Sequence, residues 1–204
     1  MDYSHPLVVE FAEKHGHGET KIEKSIKLYL AVRDGFRYDP FHVNLSTPEL
    51  RASSLVKRGS GFCVEKANLL AATARYFGIP SRLGFANVRN HIGVNRLVEL
   101  LGTDILVMHG YAELFLNEKW VKATPAFNKK MCEKLNVAPL DFNGRDDSIF
   151  QEFDPDGNNF MEYVKDHGQF DDIPRDLMIS EIRDTYPHFF KDGGKGVDGM
   201  EFLL

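Results

Sequence analysis

Apolar residues recur along this chain in two periods, and the clearest run starts at a glycine turn. From Cys63, the residues Ala67, Leu70, Ala71 and Ala74 follow at steps of four, three, one and three, the spacing of a helix that buries one face. Gly78 predicts a left-handed cap and Pro80 a stop, while Gly59 and Gly61 let the backbone approach closely at the other end. The same period predicts a helix after Ser4, His5 and Pro6 carrying Leu7, Val8, Phe11 and Ala12. It predicts a second from about Thr20 to Arg33 on Ile22, Ile26, Tyr29 and Leu30, and a third opened by Thr47 and Pro48 with Leu50, Ser54 and Leu55 inward. A short helix is expected between Asn90 and Gly102 on Val94, Leu97, Val98 and Leu101. A last one is expected between Ile173 and Phe190 on Leu177, Ile179, Ile182 and Tyr186, stopped by Pro187.

Alternation at period two appears elsewhere. The run FRYDPFHV reads as extended and SRLGFANV as a strand; Ile105 to Leu116 and Lys119 to Thr124 read as two strands joined tightly at Asn117 and Glu118. Within the longer strand, His109, Tyr111, Glu113 and Phe115 share one face and Met108, Gly110, Ala112 and Leu114 the other. Helices that must cover such strands imply an α+β fold, helices packed on an antiparallel sheet. The run FDPDGNNFMEYVKDHG places Asp154, Asp156 and Asn158 like the first ligands of a calcium loop. Asn159 stands where glycine is needed and Lys165 where a bidentate glutamate is needed, so a turn is expected there. The ending KDGGKGVDGMEFLL is expected to be loosely held unless Met200, Phe202, Leu203 and Leu204 dock.

Composition narrows the classes. A chain of 204 residues suits one domain, with the core expected over about 36–128 and an extension over 129–204. A net charge of -5 with scattered basic residues gives no reason to expect nucleic acid. No run reaches the roughly 20 apolar residues that span a bilayer, and MDYSHPLVVEFAEKHG has no leader pattern, so a cytoplasmic location and no membrane partner are expected. Two cysteines make no disulfide framework, and Cys132 reads as structural. His15 and His17 share the polar turn HGHGE without a completing Cys, Asp or Glu cluster; no metal and no cofactor are expected. His42 and His91 have no partners by spacing.

Chemistry is expected at Cys63. A thiol in the first turn of a helix meets unpaired N–H groups and the positive end of the dipole, which favour thiolate. The segments GSGFCVEKANLLAATARYFGIPSRL and HGYAELFLNEKWVKATPAFN together resemble the transglutaminase-like superfamily, whose architecture is related to papain-like proteases. The matching pieces are Gly61, Cys63, Ala67, Gly78, Ile79, Pro80 and Arg82, then His109, Glu113 and Trp120. The cysteine run also looks superficially like that of arylamine acetyltransferases, but the GIPSR turn favours the transglutaminase-like side.

The resemblance implies Cys63 as nucleophile and His109 as its base, a thiolate and imidazolium pair for acyl transfer on amide or peptide bonds through a thioester. Gly61, Phe62 and Trp120 are the candidate substrate contacts. The family usually orients the histidine with an aspartate in a W-x-x-x-D-P run; here Thr124 stands in that place, able to accept a hydrogen bond but not to supply a charge. Asn128 and Glu113 are further candidates for orienting the ring. An amidase, protease or acyltransferase acting on a peptide or protein amide is therefore expected. The alternative is a weak or silent domain of the same fold that holds a peptide or protein partner.

Overall fold

The computed structural model describes residues 1–90, 95–149, 161–190 and 201–203. The calcium-like Asp154, Asp156, Asn158 and Asn159, together with His91, lie outside the described residues, as does most of the glycine-rich ending.

The chain opens with α1 (Pro6–His15), capped by His5, whose Nδ1 accepts from the Leu7 N–H at 3.2 Å. Next comes α2 (Lys21–Gly35). Its N-cap Thr20 accepts from the Glu23 N–H and Glu23 returns a bond to the Thr20 N–H, a complete capping box. Strands β1 (Arg37–Tyr38) and β2 (His42–Asn44) follow, then α3 (Ala52–Arg58), β3 (Ser60–Gly61) and α4 (Cys63–Tyr76). The third helix starts later than its proline suggested. Thr47 to Leu50 form a turn in which Glu49 and Leu50 donate back to Ser46 O, and the helix begins only at Ala52.

The second half holds β4 (Ser81–Asn90), α5 (Asn95–Leu101), β5 (Ile105–Leu116), β6 (Lys119–Ala123), α6 (Lys129–Leu135), β7 (Met161–Phe170), α7 (Arg175–Thr185) and β8 (Glu201–Leu203). Strands β6, β5, β4 and β7 lie in that order in one antiparallel sheet. β1 pairs in parallel with β3, and β2 with β8. The fold is α+β, with helices packed on an antiparallel sheet. Among the described residues no helix is long and apolar enough to cross a membrane.

α4 sits at the centre. It packs against β5 on one side and against α1, α2 and α3 on others, so every residue from Cys63 to Ala74 is buried rather than one face of the helix. Leu69 and Leu70 are wholly enclosed, each stabilising the fold by about 1.5–3 kcal/mol. Polar residues on the other faces are accommodated by specific bonds. The fully buried Lys66 ammonium donates to Arg33 O, Phe36 O and Ala126 O at 2.8, 2.9 and 2.7 Å, tying the end of α2 and the start of β1 to the segment after β6. Asn68 Nδ2 donates to Leu50 O at 2.9 Å.

Candidate active site

Cys63 is the first residue of the central helix. Phe62 before it is extended, and its N–H donates to Glu65 Oε2 at 3.1 Å; phenylalanine has no acceptor to return, so the capping box is half formed. Glu65 is held in turn by Arg58, whose Nε donates to Ser60 O at 2.8 Å. A β-carbon on Gly61 would stand 2.4 Å from Glu65 Oε2 and 2.8 Å from Leu55 Cδ1, so only glycine lets Glu65 close under the turn. The opposite wall is β5. A β-carbon on Gly110 would stand 2.9 Å from Val64 Cα, so this glycine lets strand and helix touch backbone to backbone beside the cysteine.

Cys63 and His109 border one cavity of about 70 Å³, with Tyr38 and Phe62 beside them. Leu97 and Leu101 of α5 and Met178 and Ile182 of α7 cover it. Leu106, Val107, Met108 and His109 all border this space, which a regular strand with alternating faces cannot arrange. The break lies at Met108, whose φ is +55°. Tyr111 and Glu113 keep the regular alternation: the Tyr111 ring covers Gly84 and Glu113 meets Arg82, away from the helix that Gly110 touches.

Electrostatics differ from the thiolate that a helix start favours and from the thiolate and imidazolium pair that the family resemblance implies. Cys63 is 7 % exposed and His109 4 %. Burial pushes the Cys63 thiol up to about 11; the N–H groups of Gly110, Val64 and Cys63 itself pull it down, but by less. Burial also pushes His109 down to about 4, with no neighbouring charge contributing. The resting pair is therefore a neutral thiol and a neutral imidazole, because the apolar cover penalises both charged forms. Tyr38 is a contact that its extended segment gave no reason to single out. It borders the same cavity, and burial, followed by the proximity of Cys63, raises its pKa well above the ordinary tyrosine value.

The three candidates for orienting His109 are separated by the fold. Thr124 borders a second, small cavity together with His109, and both Thr124 Oγ1 and His109 Nε2 are buried without a hydrogen-bond partner among the described residues. Asn128 caps α6 and accepts from the Tyr38 N–H at 3.3 Å. Glu113 accepts from Arg82 Nε at 2.5 Å, and Arg82 in turn stacks 4.1 Å from the Trp120 ring. Arg82 thus forms an ion pair within the sheet. Trp120 pairs with Phe115 near the hairpin and is 38 % exposed; of the three candidate substrate contacts, Phe62 borders the Cys63 cavity, Gly61 lies in the turn before it and Trp120 lies elsewhere on the sheet.

Cys132, His15 and His42 border neither cavity around His109. Cys132 is fully buried with Val137 and Met161, and both cysteines are free. His15 packs on Phe11, His42 bonds Asp39, and no group of three metal-binding side chains occurs among the described residues.

Residues 9–125, more than half of the chain, match the family model of the transglutaminase-like superfamily. Two solved structures are similar. One, from Cytophaga hutchinsonii and described as a "Putative Cysteine Protease", is 16 % identical with a TM-score of 0.42 over 58 % of this chain and 36 % of that one. The other, from Parabacteroides distasonis and described as a "putative protease", is 15 % identical with a TM-score of 0.42 over 60 % of this chain and 23 % of that one. The chain thus corresponds to about a third or less of the length of either. No curated protein matches it.

Proposed function

The chain belongs to the transglutaminase-like superfamily, and from that premise we propose that it is a cysteine-dependent acyl-transfer or hydrolytic enzyme acting on amide or peptide bonds. The observation that carries this reading is the shared cavity of Cys63 and His109 at the first turn of α4. In the proposed reaction the neutral His109 imidazole takes the thiol proton as Sγ attacks the amide carbonyl, so the charges form only as the carbon–sulfur bond does. The N–H groups at Cys63 and Gly110, and the Tyr38 hydroxyl, are available to the developing oxyanion. Collapse expels the amine, which receives the proton from the imidazolium and leaves a Cys63 thioester. Water or a second amine then attacks that thioester, with His109 again the base. No cofactor enters these steps.

The test is acyl-enzyme trapping. Incubation with a glutamine-containing peptide or an activated acyl ester, followed by intact mass measurement, is expected to show one acyl group per chain, lost in Cys63→Ala and strongly slowed in His109→Ala. Wild-type protein that never acylates, or acylates equally without His109, overturns the reading. A second reading is favoured by the neutral resting pair and by Thr124: a domain that holds a peptide partner without chemistry. It predicts peptide binding that survives Cys63→Ala with no acyl adduct in the wild type. A cytoplasmic setting and a peptide or protein amide as partner are part of the proposal.

A further inference from the structure

Four described non-glycine residues have positive φ, and three occupy conventional places: Asn117 and Glu118 make the hairpin turn and Asn136 ends α6. The fourth, Met108, lies inside β5, immediately before His109. A left-handed residue inside a strand is unfavourable for an L-amino acid and persists only when its surroundings impose it. The surrounding group is Asn87. It occupies a bulge, where the register of β4 against β5 shifts between Ala86 and Val88, and its Oδ1 accepts from the Met108 N–H at 3.0 Å. Oδ1 also faces His167 Nε2 on β7 at 2.8 Å, and the same Nε2 lies 3.7 Å from Glu181 Oε2. Glu181 lies on α7, the helix that places Met178 and Ile182 over the Cys63 cavity, and is further held by Lys165 Nζ at 2.8 Å. Asn87 is 8 % exposed and borders neither cavity around His109.

We propose that Asn87 is a positioning residue for His109: it clamps the left-handed turn at Met108 that lets His109 share a cavity with Cys63, and through His167 and Glu181 it joins that turn to the covering helix. The Met108 N–H can be met only by the amide oxygen, which fixes the orientation of the side chain: carbonyl oxygen toward Met108 and His167. The inference rests on the catalytic reading for its consequence in turnover, but its structural content can be read without turnover.

Two readouts separate them. In ¹⁵N spectra of the imidazoles, Asn87→Ala is expected to move the His109 resonances while the melting transition stays cooperative. In acylation kinetics it is expected to lower kcat roughly 10- to 100-fold, the scale of a displacement near 1 Å, with KM unchanged because Asn87 does not border the cavity. Asn87→Asp keeps an oxygen for the Met108 N–H but sets a second carboxylate near Glu181, so it is expected to recover only part of that loss. Glu181→Ala, which removes only the outer anchor, should move the His109 signals in the same direction by less, and it serves if Asn87→Ala does not fold. His109 signals that stay in place in Asn87→Ala, or in Glu181→Ala where the first variant cannot be purified, overturn the proposal. Moved signals in a protein whose wild type never acylates leave the positioning role standing and remove the catalytic one.

Discussion

His109 and Thr124 line one cavity of about 10 Å³, and His109 Nε2 and Thr124 Oγ1 are each buried with no hydrogen-bond partner among the described residues. That volume is close to a single water-sized sphere, and the hydroxyl and the imidazole nitrogen are not bonded to each other. A longer acid at this position would reach across. Thr124→Asp is expected to raise the His109 pKa from its depressed value by about 1–3 units, the usual effect of an adjacent opposite charge. The imidazolium then becomes accessible near neutrality, and alkylation of Cys63 by iodoacetamide at pH 7 should accelerate at least about tenfold. An unchanged rate together with an unchanged His109 titration by NMR would show that Thr124 does not face the ring in solution.

The buried imidazole also sets an acid sensitivity. Its folded pKa is about 4 against an ordinary value of 6.5, so below 6.5 the unfolded chain binds a proton that the folded chain does not. Stability from this group is present above about 6.5 and is lost as pH falls toward 4, amounting to about 3 kcal/mol across that window. Cys63, with its folded pKa raised to about 11 from 9.0, acts at the other end: the unfolded thiol ionises first, so stability falls as pH rises from 9 to 11. Urea midpoints measured against pH should show both slopes, the acid one flattened in His109→Gln and the alkaline one in Cys63→Ala. Alkylation of the wild type should climb into the alkaline range rather than level off below pH 6.

Gly110 allows no side chain. The atom a new β-carbon would meet is Val64 Cα at 2.9 Å, which is helix backbone and cannot rotate away. Gly110→Ala should therefore push α4 from β5, destabilising the protein by about 1–3 kcal/mol and slowing acylation by shifting the sulfur from His109. A full-rate variant with an unchanged melting temperature would mean that helix and strand do not approach this closely.

Glu113 separates structure from chemistry. Its carboxylate is nearly enclosed and bonded to Arg82, so Glu113→Gln should cost about 1.5–3 kcal/mol in urea denaturation. Because that pair lies away from the helix and borders neither cavity around His109, the pH profile of Cys63 alkylation should not move. A moved profile would return Glu113 to the histidine's surroundings.

Much of the architecture was readable from spacing. The Cys63 helix, the Asn117–Glu118 hairpin and the strand before it carry strong local signals, and the structure has them where the pattern placed them. β7 was missed and read within a turn, for a physical reason: it lies at the edge of the sheet, most of its residues are half-buried or exposed, and an edge strand that buries little shows no alternation. The short parallel pairs were missed too, because two- and three-residue strands are made by partners distant in sequence. The third helix began later than expected because Pro48 opened a turn in which Leu50 donates to Ser46 O.

Residue order by itself determined which groups are the candidates for chemistry, a thiol at a helix start and a histidine on a strand, since side-chain identity and periodicity are local properties; that Thr124 stands where an acid is usual came from the family resemblance. Tertiary packing decided their state. Only the folded chain lays α5 and α7 over the sulfur, turns the strand at Met108 so that His109 reaches the same cavity, and brings Tyr38 to Cys63. Desolvation depends on what surrounds a group from every side, which no neighbour in the sequence can specify; here it outweighs the helix N-terminus and leaves both candidate groups neutral at rest.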